Sequence, residues 1–148
     1  MPMTARAITD QSIASGGVDD TVDQIQTQTN AILTLSAVGG TLTASGAEQT
    51  IYIDNEPLGC WEPLVLWVDL DNMQAGDTTV FRVYHRLADG GTLQLWDYNS
   101  YTGADGGLAN GLVAIRIDLG PNRHGFRATL QQTAGVNRDY DWELFARL

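Results

Sequence analysis

Hydrophobic and polar residues alternate with a period of two through most of the chain after residue 40. In residues 79–87, for example, Phe81 and Val83 alternate with Arg82 and Tyr84. This pattern is typical of antiparallel strands that have one buried and one solvated face. The sequence predicts eight such strands, at residues 41–45, 49–54, 63–70, 79–87, 91–101, 112–119, 126–131 and 140–147.

Turn-forming residues separate the predicted strands. Asp89, Gly90 and Gly91 give a strong hairpin signal, because Asp-Gly and Gly-Gly pairs tolerate the positive φ angles of tight turns. Eight short strands in residues 40–148 predict an all-β fold, namely an eight-stranded antiparallel β-sandwich of jelly-roll type.

The first 39 residues follow a different pattern, and we interpret them as a separate N-terminal segment. Residues 1–17 contain few large hydrophobic residues and predict an arm without a core of its own. Spacings of three and four residues, typical of a coiled-coil seam, then connect Val18, Val22, Ile25, Thr29 and Ile32.

This seam predicts a short helix through which copies of the chain associate. β-branched side chains at both seam positions favour three or more helices, so we expect a homotrimer, with a pentamer as the alternative. A second interpretation, an amphipathic helix on its own domain or an extended arm, stays open because the seam is short. The predicted organisation is an arm and oligomerisation segment at 1–39 and a β-sandwich domain at 40–148.

The charge balance disfavours two classes of partner. The chain has 8 Lys and Arg against 18 Asp and Glu, a net charge of −10. Such a chain repels phosphate backbones and anionic lipid headgroups, so we expect neither nucleic acid nor a membrane as a partner. All the basic residues are Arg, which is typical of a GC-rich genome or a halophilic origin. The N-terminus lacks the apolar stretch of a signal peptide, and we expect a soluble chain.

Catalytic signatures are weak in this sequence. His85 and His124 are the two histidines, Cys60 is the single cysteine, and neither G-x-S-x-G nor H-E-x-x-H occurs. Glu62 and Glu143 could form the carboxylate pair of a glycoside hydrolase, but no feature of the sequence brings them together. We therefore predict that the protein is not an enzyme.

Acidic residues in two loop regions are weak candidates for metal ligands. Carboxylates of this kind can hold Ca²⁺ or a salt cation, although Asx residues in turns explain them more simply. The EF-hand pattern fails because Thr102 and Leu108 replace its required Gly and Glu. We expect no cofactor, with a structural cation as the alternative at Asp69, Asp71, Asp77, Asp97 and Asp105.

Four aromatic residues are candidates for a binding surface: Trp67, Trp96, Tyr98 and Tyr101. Exposed aromatic rings can pack into a neighbouring subunit or stack on sugar rings. A domain packed on both faces of its sheets would bury the same residues in its core. All three interpretations remain open at this point.

Several segments resemble small structural proteins of tailed bacterial and archaeal viruses. The similar segments are 40–50 (GTLTASGAEQT), 68–84 (VDLDNMQAGDTTVFRVY), 101–104 (YTGA) and 128–135 (ATLQQTAG). The resemblance implies a β-sandwich on a short oligomerising stem, of the kind that serves as capsid decoration, turret or fibre-like knob. It transfers no site residue to this chain.

The resemblance implies a function for the whole chain. We expect a non-enzymatic virion protein that assembles as a homo-oligomer on the capsid or tail surface, contacts the major capsid or other virion proteins, and stabilises the particle or presents a surface to the host. The alternatives are a carbohydrate-binding module for host attachment and, more weakly, a hydrolase.

Overall fold

The computed structural model describes residues 24–25, 35–55 and 62–147. The chain divides into two units, one of residues 1–34 with Leu148 and the other of residues 35–147. In the first unit, Gln24 and Ile25 are helical and Ile25 is exposed. The other residues of the predicted seam, Val18, Val22, Thr29 and Ile32, lie outside the described residues.

The second unit consists of eight strands and one short 3-10 turn at Ala104–Gly107. The strands are β1 (Leu35–Thr43), β2 (Gln49–Asp54), β3 (Glu62–Asp69), β4 (Thr78–Arg86), β5 (Leu93–Thr102), β6 (Ala114–Ile117), β7 (Phe126–Ala134) and β8 (Asp139–Arg147). The predicted all-β class is therefore confirmed for this unit. None of the described residues belongs to a helix long and apolar enough to cross a membrane.

The largest departure from the predicted bounds is at β1, which begins at Leu35 and not at residue 41. Two consecutive glycines, Gly39 and Gly40, interrupt the hydrophobic alternation there. Strand β1 nevertheless pairs with β8 along its full length, from Leu35 opposite Arg147 to Thr43 opposite Asp139. Backbone hydrogen bonding thus continues the strand where the side-chain pattern does not.

The strands form two antiparallel four-stranded sheets. The first sheet has the order β1-β8-β3-β6 and the second the order β2-β7-β4-β5. Four of the pairings join strands at mirrored positions in the chain, namely β1 with β8, β2 with β7, β3 with β6 and β4 with β5. The remaining pairings, β3 with β8 and β4 with β7, complete the sheets.

Both sheets contribute to one cluster of buried side chains. The first sheet supplies Leu66, Val68, Ile115, Ile117, Tyr140 and Leu144, and the second supplies Ile51, Phe81, Val83, Phe126, Ala128 and Leu130. The ring of Phe81 meets the ring of Tyr140 edge-on, with 6.4 Å between centroids. Because side chains alternate along a strand, the residues between these point away from the cluster and form an outer face on each sheet.

Candidate functional site

The four predicted surface aromatics lie in different environments. Trp67 points outward from β3, while Trp96 and Tyr98 are half-exposed on the edge strand β5. Tyr101 is half-buried and meets Phe81 edge-on at 5.8 Å between ring centroids. The fold therefore does not gather them into one platform, and Tyr101 packs against the core.

The outer side of the first sheet is an acidic face. Asp139, Asp141 and Glu143 alternate on β8 with the buried Tyr140 and Leu144. Together with Asp69 on β3 and Asp118 after β6, they give this face five carboxylates among the residues whose side chains are described. The arginine among those residues, Arg116, is bound to Asp118 by a 2.8 Å salt bridge. We call this surface, with Trp67 included, the acidic face.

A groove of about 310 Å³ lies beside Trp67 on the acidic face. Strand register places Gly39 opposite Glu143, and Glu143 opposite Trp67. Gly39, Glu143 and Trp67 thus lie side by side across three strands. Because Gly39 has no side chain, the groove stays open towards the edge strand β1. Its other lining residues are Val68, Asp69, Ala114, Asp141 and Trp142.

This groove combines an exposed indole with carboxylate oxygens. Trp67 has 41% of its surface exposed. A flat apolar ring next to hydrogen-bond acceptors suits a ligand that has one apolar face and a polar rim. Sugar rings have that chemistry.

The outer side of the second sheet carries arginine and tyrosine. Arg82, Tyr84 and Arg86 alternate on β4 with buried residues, Arg127 lies on β7, and Tyr98 lies on β5. Strand register places Arg127 opposite Tyr84 and Arg82 opposite Tyr98. We call these five residues the Arg–Tyr face.

Each of two guanidinium groups on the Arg–Tyr face stacks on a tyrosine ring. The Cζ of Arg127 lies 4.7 Å from the ring centroid of Tyr84. The Cζ of Arg82 lies 5.6 Å from the ring centroid of Tyr98. Such cation–π contacts hold the flexible arginine side chains in place.

Glu48 extends from the β1–β2 loop over the Arg–Tyr face. Its Oε1 accepts hydrogen bonds from Tyr84 Oη (2.7 Å) and Thr129 Oγ1 (2.8 Å), and its Oε2 lies 3.5 Å from Arg82 Nη1. Partial burial raises the pKa of Glu48, but the two hydrogen bonds and the charges of Arg82 and Arg127 outweigh it and lower the pKa overall. Burial and this carboxylate raise the pKa of Tyr84.

Exposed apolar side chains border the Arg–Tyr face on both sides. Ile53 on β2 is opposite Arg127, and Leu95 on β5 is opposite Tyr84. Both are exposed, Leu95 to 54%. An arrangement of Tyr and Arg with exposed apolar neighbours has the composition of a protein–protein contact surface.

A β-bulge places Trp96 over His85. Val83 is opposite Asp97 and Tyr84 is opposite Leu95, so Trp96 is the extra residue of β5. Its ring stacks on the imidazole of His85 with 4.6 Å between centroids and 19° between planes. Burial lowers the pKa of His85, and a hydrogen bond to the Leu119 backbone opposes this shift in part.

The candidate metal ligands do not converge. Among the described residues there is no group of three or more His, Cys, Asp and Glu arranged to hold a metal. Asp69 accepts a hydrogen bond from the Asp71 backbone at 3.0 Å, and Asp97 accepts one from the Tyr98 backbone at 2.9 Å. Asp105 has a positive φ of 51° in the turn after β5. The two hydrogen bonds join near neighbours in the chain, and Asx residues favour both such contacts and left-handed turn positions.

Asp77, the fifth candidate ligand, is buried and binds within the protein. Its carboxylate accepts hydrogen bonds from the Gln74 backbone (2.8 Å), the Val136 backbone (3.1 Å) and Arg138 Nε (2.8 Å). Burial raises its pKa, but these bonds and the Arg138 charge outweigh it and lower the pKa overall. Asp77 thereby ties the β3–β4 loop to the β7–β8 loop.

The carboxylate pair considered for a hydrolase is widely separated along the backbone. Glu62 is opposite Arg147 and Glu143 is opposite Trp67. These positions are four residues apart on β8, which corresponds to about 13 Å of backbone, more than the roughly 5 to 9 Å that separates glycosidase carboxyl groups. The backbone register therefore gives this pairing no support.

No protein-family model matches the sequence, and no curated protein matches it.

Proposed function

We propose that this chain is a non-enzymatic structural protein of a virus particle, which assembles as a homo-oligomer on the capsid or tail surface. The observation that carries the proposal is the mirrored strand pairing, β1 with β8 through β4 with β5. This pairing supports a jelly-roll β-sandwich, an architecture common in viral capsid and lectin domains. A fold alone does not define a function, so the resemblance of residues 40–148 to virion proteins is the second support.

Assembly would work through burial and repetition. The heptad-like residues of the N-terminal segment gather copies, and residues 35–147 form the knob that faces solvent or a neighbour. Weak contacts between a knob and the particle then add, because linked copies bind with a high effective concentration. The net charge of −10 on the whole chain disfavours contact with packaged DNA and favours solubility.

The solution mass of the full chain tests the assembly part. A homotrimer of the 16.0 kDa chain has a mass of about 48 kDa by light scattering. Ile25→Asp places a charge in the seam and is expected to shift the mass towards that of one chain. Gln24→Glu, at the adjacent helical position outside the seam, serves as the control. A full-length protein that remains a monomer at all concentrations contradicts the assembly part.

The location on a particle has a separate test. Peptides of this chain should be present in purified virus particles released by the organism that encodes it, and a labelled antibody should mark their outer surface. Particles that contain no copy of the chain contradict the virion assignment while leaving the solution mass unaffected.

A second candidate function, glycan binding for host attachment, is favoured by the groove beside Trp67. The exposed indole and the neighbouring Asp69, Asp141 and Glu143 match the apolar face and hydroxyl rim of a sugar ring. Binding to a glycan array is expected to disappear in Trp67→Ala. Trp96→Ala, which removes an exposed indole from the other sheet, should leave it unchanged. Absence of binding by the wild-type protein contradicts this candidate.

A further inference from the structure

We propose that the Arg–Tyr face of one copy docks on the acidic face of a second copy, so that neighbouring copies are joined through two different surfaces. This proposal rests on the self-association in the proposed function and names the surfaces that would make it. The starting observation is an uneven charge distribution in a chain of net charge −10. Arg82, Arg86 and Arg127 share one face, where Glu48 offsets one of the three charges, while five carboxylates, one of them paired with Arg116, occupy the opposite face.

The two faces carry opposite charges at the same spacing. Arg82 is opposite Thr129 on β7, so Arg127, two residues away, is its diagonal neighbour. Glu143 is likewise opposite Trp67 on β3, which makes Asp69 its diagonal neighbour. Diagonal neighbours on paired strands lie about 7–8 Å apart. Two arginines of one copy therefore match two carboxylates of another.

The arginines are already ordered for such a contact. Stacking on Tyr84 and Tyr98 fixes Arg127 and Arg82 before a partner arrives, which reduces the entropy lost on binding. Guanidinium groups bind carboxylates through two parallel hydrogen bonds. Among the described residues, Arg82 Nη1, Arg86 Nε and Arg127 Nε are buried within the single chain, so the carboxylates of a second chain would meet the remaining nitrogens of these guanidinium groups.

Apolar side chains add area around the charged pairs. Ile53, Leu95 and Tyr98 are exposed beside the arginines, and Trp67 is exposed beside Glu143. Strands β4 and β7 are each nine residues long. The four strands of each sheet, which are four to ten residues long, cover roughly 500 Å² per partner, the size of a weak specific interface. Such a contact becomes effective when other segments already hold the copies together.

Charge reversal on each face of the full chain tests the proposal. Arg82→Glu with Arg127→Glu makes the Arg–Tyr face repel the acidic face. Asp69→Arg with Glu143→Arg places two arginines on the acidic face, which then repels the Arg–Tyr face. Each double variant is expected to associate about tenfold more weakly than the wild type in sedimentation velocity at low salt. An equimolar mixture should regain association, because the introduced glutamates of one variant meet the introduced arginines of the other.

Two further variants separate docking from folding. Arg123→Glu makes one such charge reversal, half the change in net charge of the arginine double variant, at an exposed loop position outside both faces, and should associate like the wild type. Leu95→Asp changes only an exposed side chain at the border of the Arg–Tyr face and should weaken association with the melting temperature unchanged. If the double variants fail to fold, Leu95→Asp still tests the docking surface.

Each contrary outcome has a distinct meaning. Wild-type oligomers that persist unchanged in both double variants overturn the docking proposal and leave the proposed self-association standing. Weakened variants that do not recover on mixing also overturn it. A monomeric wild type overturns both proposals. A monomer that binds a sulfated polysaccharide, and loses this binding in Arg82→Glu with Arg127→Glu, assigns the face to an anionic ligand and overturns docking on a second copy.

Discussion

The hydroxyl groups of Thr79 and Tyr140 lie 2.5 Å apart, a buried hydrogen bond that joins the two sheets. Thr79 belongs to β4 and Tyr140 to β8, and both are almost fully enclosed. An unpaired hydroxyl at this depth would be costly, and the Tyr140 hydroxyl also lies 3.4 Å from Gln132 Oε1, to which it donates. The bond therefore fixes the position of β8 over β4 as well as satisfying two polar groups.

Removal of one hydroxyl should destabilise the fold. Tyr140→Phe leaves Thr79 without this partner, and we expect the free energy of unfolding to fall by about 1–2 kcal/mol. Thr79→Val should cost a similar amount, but the double variant less than the sum of the two. Denaturant unfolding measures all three. Tyr98→Phe, at a half-exposed ring, is the control and should be near neutral. A Tyr140→Phe protein as stable as the wild type contradicts the role of the bond.

Asp77 should make stability depend on pH in the acid range. Its pKa is lowered in the folded protein by its hydrogen bonds and Arg138, which outweigh burial. The ionised carboxylate therefore stabilises the fold above the ordinary Asp pKa, and this stabilisation is lost as the pH falls through the lowered value. We expect Asp77→Asn to reduce the unfolding free energy at neutral pH by about 2 kcal/mol and to flatten its decline below about pH 4.

The matched control for this change is Asp118→Asn. Asp118 also binds an arginine at 2.8 Å, but that salt bridge is largely exposed. Exposed bridges contribute about 0–1 kcal/mol, so the control should stay close to the wild type. Equal losses in the two variants would show that burial of Asp77 is of no consequence.

Gly135 is required where the β7–β8 loop passes Asp77. Its φ is +86°, and a Cβ at this position would overlap the Asp77 carboxylate. Gly46 has a similar φ of +81° with open space around it. We expect Gly46→Ala to cost about 1 kcal/mol for the left-handed backbone, and Gly135→Ala about 1–3 kcal/mol more, because Asp77 must leave its partners. Equal losses of unfolding free energy in the two variants, measured by thermal or denaturant unfolding, would contradict a clash between the new Cβ and Asp77.

The alternation of residues predicts which side of each strand is buried but not which strands are neighbours. It correctly separates Arg82 and Tyr84 from Phe81 and Val83. The Arg–Tyr face was nevertheless missed, because Arg127 joins it only through the pairing of β7 with β4. Such long-range pairing leaves no local signal in a single sequence. The repeated arginines on the polar side of β4, in a chain this acidic, were the one available indication.

Three of the four predicted surface aromatics are exposed, and two local features explain why the four do not form one platform. Trp96 and Tyr98 share one side of an ideal strand, but the bulge turns Trp96 towards His85. Tyr101 lies three residues after Tyr98, so its side chain points to the other side of the strand and packs on Phe81. Hydrophobicity alone does not distinguish an exposed tyrosine from one at the margin of a core, and a single-residue bulge has no reliable sequence pattern.

The stacking of Trp96 on His85 should be visible in the titration of the imidazole. Burial lowers the pKa of His85, so the folded state favours the neutral ring, and stability decreases as the pH falls below the ordinary value because the unfolded chain takes up a proton. Trp96→Ala uncovers the ring. We expect the pKa of His85 to rise towards about 6.5, and the acid-side loss of stability to become smaller. NMR titration of the His85 Cε1 proton measures the change directly.

Leu95→Ala provides the control for this titration. Leu95 precedes Trp96 on the same edge strand and is similarly exposed, but its place opposite Tyr84 directs it to the outer face. Its removal should leave the titration of His85 unchanged, so that a general loosening of β5 is distinguished from loss of the indole. A His85 that titrates identically in the wild type and in Trp96→Ala would show that the backbone around Leu119 and Gly120, and not the indole, excludes water from the imidazole.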